Sequence, residues 1–408
     1  MTDYSTLMSS NNGPRTLRAA TFNFADLADY CWPVETQAEF FNPAANNLYL
    51  EAFPPTRFDC TPPLNLAGHP RADLFRTFPL IHEYAETHGA GPGFVATLSN
   101  ARLATPYAFL FDRHGVLFND SYHNARMVRL PMERMDRLIR VDLAMNYRGE
   151  EVSVPTNTVR FDWPPRKIDE PCLLLASPWC EGYHHWILEA LPRLWAADAY
   201  PELAALPVVV PDWLQPFHLE SLAALGYGED RLRRFDGTTW DFAQLYVPSF
   251  IAPGGHSPRQ VTWLKNRLAL ALGVQAFGPE GRLYVSRRDA KLRRLANEDE
   301  IADMLERDYG FRTIVPGELS LAEQVAAFAQ AEIVLGVDGS GLTNHVFAPA
   351  GATVIALHPA DYVNRAHWYL ACAAGQHYAF EVGDTVNESQ DFEVPAASLA
   401  ATMEKVLA

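Results

Sequence analysis

Residues 319–359 read LSLAEQVAAFAQAEIVLGVDGSGLTNHVFAPAGATVIALHP. This stretch decides the fold because it holds, in order, a capped helix, a buried strand, a turn of small residues and a second buried strand. Ser320 followed by Glu323 is a capping-box signature, and it predicts a helix through AEQVAAFAQA. EIVLGV and TVIALHP are short apolar runs of the kind that fill a sheet covered on both faces. Upstream, RLYVSR (282–287) and FRTIVP (311–316) read as two more strands. Between them NEDEIADMLERDYG predicts a helix, with Asn297 as N-cap, Glu300 at the capping-box position and Gly310 closing it. Residues 281–360 therefore predict a Rossmann-like β-α-β-α-β-α-β run with a parallel sheet.

A similar alternation occurs earlier. PCLLLASPW (171–179) and LPVVVP (206–211) read as buried strands, YHHWILEALPRLWAADAY (183–200) and QPFHLESLAALGY (215–227) as helices. Before residue 170 the chain changes character. Residues 1–70 are rich in Pro, Asn and Thr and read as irregular, while 94–165 read mostly as β, with Arg113–Gly115 as a hairpin turn in PYAFLFDRHGVLF. PAASLAATMEKVLA at the end predicts an amphipathic helix packing Leu399 and Met403 onto the body. The expected plan is an α/β protein with an irregular and β-rich region over 1–168. A Rossmann-like domain follows over 169–275, a second Rossmann-like domain over 276–385 and a closing helix over 386–408.

The chain of 408 residues is 48% hydrophobic, enough for packed cores. Lys and Arg total 33 against 49 Asp and Glu, a net charge of -16, which argues against a nucleic acid or anionic membrane partner. The five cysteines are scattered without a C-x-x-C pair, so neither a disulfide framework nor a zinc site is expected, and Cys172 and Cys180 lack the basic neighbours of a reactive thiol. No apolar run reaches membrane-span length, and the first residues lack a basic flank followed by an apolar segment. A cytoplasmic protein is expected, with a homo-oligomer left open.

Against this acidic background SRRDAKLRR (286–294) collects five basic side chains. In open parallel sheets ligands bind beyond the carboxyl ends of the strands. RLYVSR delivers Arg287 and Arg288 there, and EIVLGV delivers Asp338, Gly339, Ser340 and Gly341. Small residues admit a ligand to the backbone, and a helix beginning near Leu342 turns N–H groups toward an anion. Together with the arginine fork this pattern suits a diphosphate. Lys291, Arg293 and Arg294 read instead as a solvated face balancing the acidic NEDE that follows. GVDGSG matches neither the dinucleotide fingerprint nor a Walker loop. A second constellation is His185 and Glu189, four apart on a helix, either an acid–base unit or a structural pair, with His184 beside it. His256, in HSPRQ, and Asn297 and Glu323 are further candidates for a cleft. No metal set is seen.

YHHWILEALPRL, LYVSRRDAKLRRLANEDEI and the opening stretch, in that order and spacing, resemble the catalytic region of glycosyltransferase family 61. That family includes capsular-polysaccharide enzymes and eukaryotic xylosyl- and N-acetylglucosaminyltransferases. The resemblance implies a GT-B architecture and inverting transfer from a nucleotide diphosphate donor, commonly UDP-linked, to a glycan or other hydroxyl acceptor, without a cofactor or essential metal. It implies that Arg287 and the turn Gly339, Ser340, Gly341, Leu342, Thr343, Asn344 hold the donor diphosphate, with Arg288 and Asn297 in the same matched block. One departure stands out. Members usually read HGAGLTN, and here Asp338 replaces the histidine and Ser340 an alanine. His185 or Glu189 is then the expected base, with Asp338 as rival. A noncatalytic nucleotide-sugar- or glycan-binding subunit is the alternative, and a nicotinamide dehydrogenase is disfavoured by the missing fingerprint.

Overall fold

The computed structural model describes residues 16–21, 23–42, 47–79, 83–104, 108–121, 139–140, 158–252, 255–274 and 277–408. Residues 151–157, part of one expected strand, fall outside this set. The chain divides into two compact units that interleave in sequence: 1–54, 92–219 and 227–250 form the first, and 55–91, 220–226 and 251–408 the second.

In the first unit the strands are β1 (Gly93–Ala104), β2 (Cys172–Leu174), β3 (Val208–Pro211), β4 (Leu232–Phe235) and β5 (Trp240–Pro248), in the spatial order β4-β3-β2-β5-β1. The first four of that row are parallel, and β1 pairs with β5 antiparallel from Trp240 opposite Leu103 to Pro248 opposite Val95. Strands Leu48–Phe53 and Phe109–Asp112 extend the sheet beside β1, and Arg113–Gly115 turns as expected into Val116–Phe118. Because β3 is added on one side of β2 and β5 on the other, strand order reverses between β2 and β5. Arg193 spans that point. It is buried, with Nε donating to the Pro248 carbonyl (2.8 Å) and Nη1 to that of Ala176 (3.3 Å), and burial pulls its pKa down to about 10.

The expected helix after β2 forms as several pieces: Tyr183–His185, a π turn Trp186–Ala190, a 3-10 turn Leu191–Leu194 and a last α turn Trp195–Ala199. Pro192 explains the break, since it removes one N–H from the ladder and crowds the preceding turn.

The second unit holds β6 (Gly281–Val285), α1 (Glu298–Tyr309), β7 (Phe311–Ile314), α2 (Leu321–Ala329), β8 (Ala331–Val337), β9 (Thr353–Pro359), α3 (Ala366–Ala373), β10 (His377–Thr385) and α4 (Ala396–Leu407). These five strands are parallel in the order β7-β6-β8-β9-β10, with Phe392–Glu393 added antiparallel beyond β10, so here the reversal lies between β6 and β8. Every residue of β9 is buried, as its unbroken apolar run requires. α2 carries the expected reciprocal capping box of Ser320 and Glu323, and Gly310 ends α1 in the left-handed region (φ 69°). One cap departs from expectation. Asn297 precedes α1 without capping it by side chain, because its amide is taken by the Val394 backbone (2.9 Å to the carbonyl, 3.3 Å from the N–H). Leu399 and Met403 of α4 are fully buried in the core with Ile301, Leu305 and Tyr284.

Residues 55–91 join this unit through polar ties. The Asn65 side chain pairs with the Phe380 backbone in both directions (2.6 and 3.2 Å), and Arg365 donates to the carbonyls of Phe75 and Phe78. His69 lies 3.3 Å from the buried Glu381, which also accepts from Ser398 (2.9 Å) and Thr402 (2.5 Å). Burial alone would raise the Glu381 pKa, but the hydrogen bonds from His69, Thr402 and Ser398 outweigh it and the net direction is down. A carboxylate depressed in the folded state contributes stability that is complete above its ordinary 4.5 and disappears as pH falls through the lower folded value. Glu381→Ala is therefore expected to cost about 3 kcal/mol at neutral pH, by stranding the partners of a buried charge. It should also flatten the acid limb of the melting temperature measured against pH, and an unchanged limb would show the network to be idle.

Candidate active site

The second unit assembles a polar cluster at the carboxyl ends of β6 and β8, the place where strand order reverses. Brackets between parallel strands fix the geometry: Val285 pairs with Gly336, so Ser286–Arg288 and Asp338–Gly341 leave the sheet side by side. Gly336 is glycine for a packing reason, since a Cβ there would lie 2.8 Å from that of Val285. Gly339 has another. Its backbone is extended (φ 166°), which any residue can adopt, but a Cβ would collide with the Arg287 guanidinium that lies against it.

Arg287 is half-buried, and its Nε donates to the Leu292 carbonyl (3.0 Å), which curls the loop after β6 back toward the strand end. Burial first, then the neighbouring charge of Arg293, lowers its pKa. Arg288 points outward, with Nε on the Ser286 hydroxyl (3.0 Å). After Gly339 the chain enters a 3-10 helix, Ser340–Phe347. The first N–H groups of such a segment have no acceptor within it, and here they follow the half-buried turn Gly339–Gly341. Leu342, Thr343 and Asn344 are buried. Asn344 donates to Gln324 (2.8 Å), which in turn donates to the carbonyls of Pro316 and Leu319, so this side chain anchors the turn on α2 and faces the interior.

Asp338 is only 2% exposed. Its Oδ2 lies 3.6 Å from Arg293 Nη1 and its Oδ1 3.5 Å from His367 Nε2. Arg293 is thus no part of a solvated face: its guanidinium covers the Tyr362 ring at 4.1 Å, and its backbone is left-handed (φ 56°). Arg294 does behave as a surface residue, paired with Asp391 at 2.9 Å, and Lys291 is exposed. Two buried histidines line the same region. His345 holds Gln376 (2.8 Å) and burial, with the charge of His367, pushes its pKa down to about 3; His358 holds the Tyr378 hydroxyl (3.2 Å) and burial pushes it to about 4. Both rings are neutral at ordinary pH. Asp338 Oδ1, Arg293 Nε, His345 Nε2 and His358 Nδ1 are buried with no hydrogen-bond partner among the described residues.

The first unit holds the other constellation. The chain leaves β2, turns through Ser177–Gly182 and starts a helix whose first residues carry His185. His185 Nδ1 and Glu189 Oε2 are 2.9 Å apart, both partly exposed, and His184 stands edge-on to His185 at 5.3 Å. Burial by itself lowers the His185 pKa, but the charge and hydrogen bond of Glu189, helped by Glu181, reverse the direction, and the net shift is upward. With Nδ1 engaged, Nε2 is the nitrogen left for a substrate.

The sequence candidates sort accordingly. Arg287, Asp338 and the turn Gly339–Gly341 come together, and His185 meets Glu189. Glu323 is spent on its capping box, Asn297 on Val394, and His256 is buried against Gln260 (3.4 Å) with its backbone N–H on His88 (3.2 Å). Cys172 and Cys180 are buried thiols pushed up to about 12, chiefly by that burial, the surroundings of a structural cysteine. Arg293, His345, His358 and His367 were not legible as site residues. Only the dense basic run around Arg293 and the histidine inside the apolar AHWYLACA segment hinted at them.

Comparison with known proteins bears on this geometry. Residues 183–355 match the model of the family described as Glycosyltransferase 61. That span includes His185, Glu189, Arg287, Arg293 and Asp338. Among solved structures, the E. coli heptosyltransferase WaaC with ADP is similar at 12% identity, covering 58% of this chain and 97% of that one, with a TM-score of 0.29. No curated protein sequence matches the chain.

If Glu189 sets the state of His185, Glu189→Gln removes the attraction that outweighs burial, and the imidazole pKa falls below its value in the unaltered chain. The raised value stabilises the fold below pH 6.5, and that contribution is lost as pH rises through the folded pKa. Titration of the His185 ring by NMR, before and after the substitution, reads the shift directly; an unmoved curve refutes the pairing.

Proposed function

We propose that the chain, whose residues 183–355 match the Glycosyltransferase 61 model, is a member of that family and an inverting GT-B enzyme taking a sugar from a nucleotide diphosphate donor, UDP-linked in the first instance, to a hydroxyl of a glycan or glycoconjugate. The observation that carries this reading is the Arg287 guanidinium lying against Gly339 at the reversal point of the second sheet. Such points in open α/β sheets are where phosphate-bearing ligands bind. A guanidinium next to backbone N–H groups and a turn without bulky side chains suits two linked phosphates.

The reaction requires an acceptor oxygen to attack the anomeric carbon while the bond from that carbon to the diphosphate oxygen breaks. The bonding pair leaves with the diphosphate, whose growing charge falls to Arg287 and to the N–H groups of residues 339–341. The acceptor proton passes to His185 Nε2, with Glu189 fixing the ring through Nδ1 and stabilising the imidazolium that results. Asp338 suits this base role poorly. Its carboxylate is buried and faces Arg293 and His367, which supports a structural countercharge in place of the family histidine. Side chains of Thr343 and Asn344 have no part in the proposed donor contact; only the turn before them does. Because cationic side chains and backbone dipoles carry the leaving-group charge, the proposed mechanism is independent of a divalent ion.

The test is release of nucleoside diphosphate from a panel of nucleotide sugars, with and without glycan acceptors. Arg287→Gln is expected to lower kcat/KM by about 10²-fold or more, in the range for loss of one charge-stabilising donor. Donor binding without turnover under every condition would identify a noncatalytic binding subunit instead. A chelator such as EDTA is expected to leave the rate unchanged, and loss of activity restored by manganese would overturn the metal-free mechanism.

A further inference from the structure

Two guanidinium groups stand at the end of β6 and β8, and one buried carboxylate serves them both. Arg293 approaches Asp338 Oδ2 at 3.6 Å, and Asp338 also attracts Arg287 electrostatically. Arg287 bonds the carbonyl of Leu292, next in sequence to Arg293, and lies against Gly339, next in sequence to Asp338, so the two cations share one strand-end region, and the charge of Arg293 adds to burial in lowering the Arg287 pKa. Asp289 attracts Arg287 as well, but it is exposed and water screens it. A single buried carboxylate neutralises one of the two cations. The pair is then disfavoured by like-charge repulsion and desolvation until a further anion joins it.

Other features hold Arg293 in this unfavourable company. Its backbone is left-handed (φ 56°), a conformation that persists in a non-glycine residue only when the surroundings over-determine it. Its N–H donates to the Ser389 carbonyl (2.9 Å), and its guanidinium lies over the Tyr362 ring (4.1 Å). Its Nε is buried with no hydrogen-bond partner among the described residues, while the side chain as a whole keeps 18% exposure. A guanidinium held over an aromatic ring and still partly open to solvent is positioned to meet an oxyanion.

We propose that Arg293 is a second cation on the donor diphosphate beside Arg287, and that Asp338 is the positioning residue that holds it there. This rests on the donor reading given above. It extends that reading by assigning the recognition of the second phosphate to a residue outside the strand-end positions. It also gives Asp338 a purpose that its exchange for the family histidine had left open: the carboxylate orients one arginine and tempers the repulsion between two.

The experiment is calorimetric titration of the full chain with matched nucleotide pairs, UDP and UMP, ADP and AMP, GDP and GMP, for the unaltered protein, Arg293→Gln and Arg293→Lys. Arg293→Gln is expected to reduce the preference for diphosphate over monophosphate by about tenfold or more, the worth of one charge-assisted contact, with monophosphate affinity nearly kept. Arg293→Lys, which retains the charge but lacks the fork, should fall between, and it stands in for the test if the glutamine variant fails to fold. Asp338→Asn should move the same preference in the same direction as Arg293→Gln, and combining the two should add little to either alone. Parallel weakening for monophosphate and diphosphate would mark Arg293 as merely structural and overturn the inference, leaving the donor reading intact. If the unaltered protein binds none of these nucleotides, the donor reading fails and this inference with it.

Discussion

The carboxylate of Asp338 sits at the dry end of the central strand of the second unit, and a buried charge must be compensated or the fold loses several kcal/mol. The chain meets this constraint with Arg293 and His367, drawn from segments far apart in sequence. Reaching Asp338 forces the loop after β6 into a tight course, with Arg293 left-handed and lying over the Tyr362 ring. That course brings the Leu292 carbonyl to Arg287 Nε, and the Arg287 guanidinium lies against residue 339. Glycine at 339 leaves room for the guanidinium above it. The cationic surface is thus a consequence of one buried anion and of the loop that satisfies it.

Both sheets place an arginine at the point where their strand order reverses, and the difference between the two arginines is instructive. In the first unit Arg193 is absorbed. Carbonyls from the ends of two strands take its N–H groups, it is 5% exposed, and burial lowers its pKa to about 10. It acts as a bolt between strand ends that would otherwise carry unmatched carbonyls. In the second unit Arg287 spends one N–H on a carbonyl and remains half-buried over a residue without a side chain. The same residue type in the same topological position is structural where carbonyls surround it and available where a glycine does.

Most of the second unit was legible because its signals are local. Ser320 with Glu323, Gly310 after an amphipathic run, and two wholly apolar strands each specify their own element without reference to the rest. Asn297 shows the limit of such signals: a good cap by sequence, it was claimed by the backbone of Val394, ninety-seven residues on. Residues 55–91 escaped for the same reason, since the ties of Asn65 to Phe380 and of Arg365 to Phe75 and Phe78 span some three hundred positions. Arg287 was recoverable as a candidate from its place at a strand end. Arg293 was not, because nothing in a run of basic residues reveals which one turns left-handed and finds a buried partner.

The overall charge of -16 gives the local cations a further role. At physiological ionic strength fields from distant acidic groups decay within about 8 Å, so they oppose an approaching anion weakly and nonspecifically. Within the half-buried crevice lower polarisability makes the arginines effective over short distances. On the proposed reaction, the departing nucleoside diphosphate carries more negative charge than the sugar ester that entered. The acidic surroundings therefore act more strongly on product than on donor. Affinity resides in a few short contacts and repulsion in the whole surface, a division that favours turnover over product retention.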